Sequence, residues 1–124
     1  MALGRLLLVD KSALERATSE TLELGELCLC AVVRLEMLYS ARSPSDYERI
    51  EQWLDAFRNL RIDAETIATA LTAQRELGQR GRHRLPVPDL LIAACAQQHQ
   101  ASVLHVDRHY DTLAEVLDFE PIRL

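Results

Sequence analysis

The sequence predicts an α/β fold in which a parallel sheet is covered by helices. Three observations carry this. A short apolar run at Leu6 to Val9 is bounded by charges, and further short runs lie at Leu27 to Ala31 and Ser102 to Val106; all three read as strands buried on both faces. Segments with apolar residues at helical spacing lie between them, so strand and helix alternate. Hydrophobic content is 48% with only 5% aromatic, so the core is aliphatic, which suits helices packed on a sheet. At 124 residues the chain is expected to make one domain, residues 1–124, burying roughly two-thirds of its unfolded surface.

Arg5-Leu6-Leu7-Leu8-Val9-Asp10 reads as the opening strand and ends abruptly in a carboxylate. In open α/β sheets, ligands bind beyond the carboxyl ends of the strands, where Asp10 projects; an aspartate there also serves simply to end a strand. Ser12 and Glu15 have capping-box spacing, which predicts a helix start, with Leu14, Ala17 and Thr18 as its stripe and an end near Gly25. Leu27 to Ala31 reads as the second strand. The helix expected from about Val32 carries Glu36, which at about 100° per residue falls between Val32 and Val33 and near Leu35, Tyr39 and Ser40. A carboxylate in an apolar arc needs a cation, a metal or strong donors; an ion pair with Arg34 or Arg42 is the purely structural option.

Ser43-Pro44-Ser45-Asp46 breaks the chain, and Ser45 with Glu48 forms a second capping-box spacing. Tyr47, Ile50, Leu54 and Phe57 follow at helical spacing beside Trp53, as packing residues or as an apolar groove for a partner peptide. Leu60 to Asp63 reads as a short third strand. Asp63 is placed to cap a helix from Ala64 through Ile67, Leu71 and Leu77 to Gly78 and Gly81.

Arg75, Arg80, Arg82, His83 and Arg84 form the concentrated positive segment. It is either a solvated loop or a clamp for a nucleic-acid backbone, with Arg80, Arg82 and Arg84 as the candidate contacts. No aromatic residues interleave there, so base stacking is not indicated. Leu85 to Ala96 predicts a buried helix entered through Pro86 and Pro88. Asp89 stands in its first turn, where an acid also complements the helix dipole. Ser102 to Val106 ends in Asp107 as the first strand ends in Asp10. Tyr110, Leu113, Ala114 and Leu117 then give one helix face, for which Asp107 is also a possible N-cap, with Asp111 at its flank. Phe119 to Leu124 reads as a terminal edge strand, where Pro121 is tolerated.

Cys28, Cys30 and Cys95 sit in apolar runs without a Cys-x-x-Cys pair, which speaks against a zinc site or disulfide framework and for reduced, buried thiols. No secretory signal or bilayer-spanning stretch stands out, so a soluble, cytoplasmic protein without membrane contact is expected. The net charge of −5 disfavours a polyanionic partner at face value. If four acids share one metal site, however, the remainder is nearly neutral.

Asp10 and Asp107 end strands, Asp89 opens a buried helix, and Glu36 lies on the apolar side of another, so all four can reach one sheet edge. Crowded carboxylates repel, and hard divalent cations that prefer oxygen relieve the repulsion; Mg²⁺ or Mn²⁺ is the natural choice. Such ions activate water for in-line attack on a phosphodiester. No His-Asp pattern accompanies Ser12, which is placed as a cap or as a donor orienting Asp10 or a bound water rather than as a nucleophile. His105-x-Asp107-x-His109 offers nitrogen and oxygen ligands, with His105 directed to the side of Asp107. Structural roles are assigned to both histidines.

Val-Asp-Lys-Ser around Asp10, Arg-Leu-Glu-Met-Leu around Glu36, Pro-Asp-Leu-Leu-Ile-Ala-Ala around Asp89 and Leu-His-Val-Asp-Arg-His-Tyr-Asp around Asp107 and Asp111 together resemble a PIN-domain ribonuclease. In particular they resemble the VapC-type toxin of a bacterial or archaeal toxin–antitoxin pair, and the resemblance spans nearly the whole chain. The resemblance implies a PIN-like three-layer fold with a central parallel five-stranded sheet and helices on both faces. It also implies Mg²⁺ or Mn²⁺ dependence, endonucleolytic cleavage of RNA and a homodimer. A cognate VapB-type antitoxin would restrain the enzyme, its tail in an apolar groove and a basic side chain reaching the acidic site. By motif position, Asp10, Glu36, Asp89 and Asp107 are the expected metal-site acids, Asp111 is a lesser addition, and Ser12 matches the hydroxyl position after the first acid. Lys11 departs from the usual Thr, and His105-Val106 replaces a Thr-containing approach to the last acid. Two other classes remain: a catalytically degenerate PIN module that only binds a partner, and a phospho-receiver regulatory domain. The latter is disfavoured because no adjacent acid pair follows the opening strand.

Overall fold

The computed structural model describes residues 4–19 and 25–124. The elements run β1 (Arg5–Leu8), α1 (Lys11–Ser19), β2 (Glu26–Cys30), α2 (Ala31–Tyr39), α3 (Pro44–Leu54), β3 (Arg58–Leu60), α4 (Ala64–Gln79), α5 (Val87–His99), β4 (Ser102–His105), α6 (His109–Leu113) and β5 (Pro121–Arg123). The strands form one sheet in the order β3-β2-β1-β4-β5, and every pairing is parallel. The chain steps outward from β1 to β3, then crosses back through α4 and α5 to β4. With right-handed crossovers, that reversal puts the two sets of helices on opposite faces. The expected five-stranded α/β architecture is therefore present.

β1 is central, and Leu6, Leu7 and Leu8 are fully buried. Its register pairs Leu7 with Cys28 on one side and with Val103 on the other. Ala13 and Leu14 of α1, Leu29 of β2 and Ile92 to Ala96 of α5 join the same core. Cys28, Cys30 and Cys95 are buried and free. No helix among the described residues is long and apolar enough to cross a membrane.

Several expected boundaries shift. α1 is capped by Asp10 rather than Ser12: the Ala13 N–H donates to Asp10 Oδ1 at 2.8 Å, and Ser12 is an exposed residue of the first turn. β1 ends at Leu8, so the turn out of the strand reaches Asp10 first. Thr18 is exposed, and its hydroxyl donates back to the Leu14 carbonyl. The expected helix end near Gly25 falls partly on residues 20–24, outside the described residues. α3 is capped by Ser43, whose Oγ accepts from the Asp46 N–H at 3.0 Å, and not by Ser45. Pro44, at the first helical position, sets that boundary because its locked φ suits N1. Phe57 lies beyond α3 and packs edge-on against Trp53, with ring centroids 6.4 Å apart.

β3 covers Arg58–Leu60 rather than Leu60 to Asp63. It is an edge strand with Arg58 and Asn59 exposed, so it lacks the apolar run that marks the inner strands. The inward face of α4 is Thr66, Ala70, Ala73 and Leu77, while Ile67 and Leu71 are 44% and 62% exposed. Small residues on that face let α4 approach α5 closely. Helix α4 also runs through Gly78 to Gln79 before Gly81 takes the left-handed conformation, φ +69°, that closes it.

Asp63 does cap α4, through a reciprocal capping box with Thr66. Its carboxylate also accepts from Arg61 Nε and Gln98 Nε2, each at 2.9 Å. These bonds, the Arg61 bond foremost, hold the carboxyl well below the usual range. A depressed folded pKa means that the unfolded chain takes up the proton first as pH falls. The stabilisation is thus complete above about pH 4 and lost as acid titrates the folded carboxyl. Thermal melts should show Asp63→Asn below wild type at neutral pH, with the gap closing as pH falls below about 4; a pH-independent gap would contradict this account.

Candidate metal centre

The strand order reverses at β1, whose neighbours are β2 and β4. Carboxyl ends of adjacent strands at such a reversal open a crevice in the sheet edge. Asp10 leaves the end of β1 and Asp107 follows the end of β4, with Leu8 and Leu104 in register behind them. Asp89 reaches the same region from the first turn of α5, and Glu36 approaches on α2.

Two observations tie these groups together. Oxygen or nitrogen donors of Asp89, Asp107 and His109 all lie within 4.8 Å of one another. The Glu36 carboxyl is pushed up, first by burial and then by the charges of Asp89 and Asp10, so three carboxylates share one field. Asp89 belongs to both sets. The repulsion is what a cation would relieve, and the donor set of carboxylates plus one imidazole suits a divalent ion.

Each of these aspartates has one oxygen, Oδ1, fixed by a donor of the chain. Asp10 Oδ1 accepts from the Ala13 N–H at 2.8 Å, and Asp107 Oδ1 from the His109 N–H at 3.0 Å. Asp89 Oδ1 accepts from the Tyr110 hydroxyl at 3.2 Å. Tyr110 is only 2% exposed; burial, and next the charge of Asp89, push its phenol far up, so it remains a donor.

Other sequence expectations change here. Glu36 does not sit in a core arc: its neighbours Leu35 and Tyr39 are 68% and 91% exposed, and Val33, Met37 and Leu38 form the buried face of α2. Arg34 pairs with Asp55 at 2.8 Å instead of with Glu36. His105 is fully buried rather than directed into the site beside Asp107. Its Nδ1 accepts from the Asp107 N–H at 3.2 Å, while Nε2 has no partner among the described residues, so this structural histidine is only half satisfied. Burial pushes its pKa down, which keeps the ring neutral. Asp111 is exposed on α6 and, like Asp10 and Glu36, stands outside the donor cluster of Asp89, Asp107 and His109 among the described residues.

His109 is the residue that sequence reasoning left out of the site. Its Nδ1 lies 2.9 Å from Asp89 Oδ2 and 3.4 Å from Asp107 Oδ1. The signal was the His-x-Asp-x-His spacing; a short turn before α6, rather than a continuous strand, swings His109 back over Asp107. In the basic segment, Arg82 is held by Glu115 at 3.3 Å and Thr112 at 3.1 Å. Arg80 lies 4.0 Å from Glu76, and Arg84 is exposed.

A family profile described as PIN domain matches residues 3–116. The chain belongs to the PIN-domain family. Among relatives of this PIN domain, Ribonuclease VapC17 of Mycobacterium tuberculosis is 40% identical over 116 residues, covering 88% of this chain and 87% of the relative. Ribonuclease VapC51 of the same organism is 34% identical over 108 residues, covering 87% and 79%. Similar solved structures include VapBC2 from Rickettsia felis bound to a promoter DNA fragment, with TM-score 0.75, 14% identity, and coverage of 97% of this chain and 98% of that one. VapBC-5 from Mycobacterium tuberculosis has TM-score 0.73, 18% identity, and coverage of 97% and 98%. At these identities the two structures establish the fold alone. The PIN match also removes the phospho-receiver alternative.

Proposed function

We propose that this PIN domain is a divalent-metal-dependent endoribonuclease, the toxin of a type II toxin–antitoxin pair, cutting RNA phosphodiester bonds by hydrolysis. The observation that carries the reading is the convergence of carboxylates on one sheet edge in a chain whose relatives are named Ribonuclease VapC. Asp10, Glu36, Asp89 and Asp107 are the residues that would hold Mg²⁺ or Mn²⁺. When bound, such an ion supplies Lewis-acid charge that makes water more acidic and neutralises charge developing on the phosphoryl group.

The chain's own part is preorganisation. The Ala13 and His109 N–H groups and the Tyr110 hydroxyl each fix one oxygen of an acid, which limits reorganisation when substrate arrives. Water adds to phosphorus as the bond to the leaving ribose oxygen breaks. Arg80 and Arg84, less tightly engaged than Arg82, are assigned as contacts for the RNA backbone. As a partner we assign a VapB-type antitoxin. Support comes from the VapBC composition of the similar structures and from a depression lined by Leu38, Ala41, Arg42, Ser43, Pro44 and Tyr47, with Leu35 and Tyr39 exposed on α2. A homodimer in the cytoplasm completes the reading.

Purified protein should cut structured RNA with Mn²⁺ or Mg²⁺ and stop on chelation. Asp89→Asn should lower the rate by on the order of a hundredfold or more, the loss of a few kcal/mol of transition-state stabilisation. Undiminished cutting by that variant, or cutting that survives chelation, counts against the proposal.

A further inference from the structure

We propose that His109 Nδ1 is a direct ligand of the metal, making this a mixed nitrogen and oxygen site that favours a first-row transition ion over Mg²⁺. The inference rests on the metal-site reading above and adds a ligand and a selectivity to it. Around an octahedral ion with donors at about 2.1 Å, neighbouring ligand atoms stand about 3.0 Å apart. His109 Nδ1 is 2.9 Å from Asp89 Oδ2 and 3.4 Å from Asp107 Oδ1, the separations of adjacent corners of one coordination polyhedron.

The backbone supports the same placement. The His109 N–H donates to Asp107 Oδ1, so a single residue orients one acid through its main chain and meets another through its ring. Tyr110, the next residue, holds the far oxygen of Asp89. The imidazole is therefore held between the two carboxylates by its own element. Ring nitrogen is a good donor to transition ions and a poor one to Mg²⁺, which demands oxygen and sheds its waters reluctantly. An all-carboxylate version of this edge would lack that bias.

The competing account keeps His109 outside the coordination sphere, as a hydrogen-bond partner of Asp89 that moves aside when metal enters. Pulsed electron paramagnetic resonance on Mn²⁺-loaded protein separates the two, because a directly bound imidazole imprints ¹⁴N modulation on the echo. The full chain, stripped with chelator and reloaded with Mn²⁺, should show that modulation in wild type and lose it in His109→Gln and His109→Asp. Calorimetric titration with Mn²⁺ and Mg²⁺ should show the Mn²⁺ preference falling by about tenfold or more in His109→Asp, the scale on which changes around a metal ligand alter affinity. Mn²⁺ bound without ¹⁴N modulation in wild type, modulation persisting in His109→Gln, or an unchanged preference in His109→Asp overturns the inference and leaves the metal site standing. Failure of wild type to bind Mn²⁺ overturns both.

Discussion

Asp10→Asn is expected to lower RNA cleavage by at least about a hundredfold while leaving the melting temperature close to wild type, whereas Asp10→Ala loses both. The contrast follows from two roles on one side chain. Asp10 Oδ1 caps α1 through the Ala13 N–H, and the charged group also raises the pKa of Glu36. Asparagine caps a helix about as well as aspartate but carries no charge; alanine removes the cap as well, at a cost of about 0.5–2 kcal/mol. For a domain of this size that corresponds to a few degrees in Tm, roughly 2–8 °C per kcal/mol. Cleavage under saturating Mn²⁺ and thermal melts in the same buffer check it. Full activity in Asp10→Asn removes Asp10 from the metal site, and a melt as low as that of Asp10→Ala removes it from the cap.

The largest loss of stability is expected from Leu7→Ala. Leu7 is fully buried in the central strand, paired to Cys28 and Val103 on its two sides, with helices over both faces. Truncation there removes contacts above or below the sheet and leaves a cavity that flanking strands cannot close, so about 2–5 kcal/mol is lost. That is a large fraction of the roughly 5–15 kcal/mol by which such domains are stable. Tyr39→Ser is the control: with 91% exposure, Tyr39 should change stability by no more than about 0.5 kcal/mol in the isolated protein. Urea midpoints at constant slope measure both. A Leu7→Ala midpoint equal to that of Tyr39→Ser would mean that the sheet centre is not the core.

Where an element is buried on both faces, composition alone marks it. β1 and β4 appear as aliphatic runs because neither side of a central parallel strand meets water. β3 does not stand out in the sequence because one side of an edge strand is solvated, and its polar Arg58 and Asn59 read as loop. The capping signals of α1 and α3 point two residues past the actual caps for a related reason. Asp10 and Ser12, like Ser43 and Ser45, are equally good capping residues in isolation, and the choice falls to where β1 ends and where Pro44 sits.

The α4 stripe shows the converse. Ile67 and Leu71 carry the stronger hydrophobic signal, yet Ala70 and Ala73 face inward, because the distance between two packed helices is a property of both and cannot be read from one. Asp63 needed no such partner, since its capping box with Thr66 closes within one turn.

The order of apolar runs, helix signals and strand-end acids along the chain was enough to specify a parallel α/β sheet and the edge toward which its carboxylates lie, because burial and local hydrogen bonding act over a few residues. It was the docking of α6 against α5 that brought His109 to Asp89 and Asp107 and set the Tyr110 ring against the buried His105. Contacts between segments distant in sequence depend on how helices settle on the sheet, and no spacing along one segment encodes that.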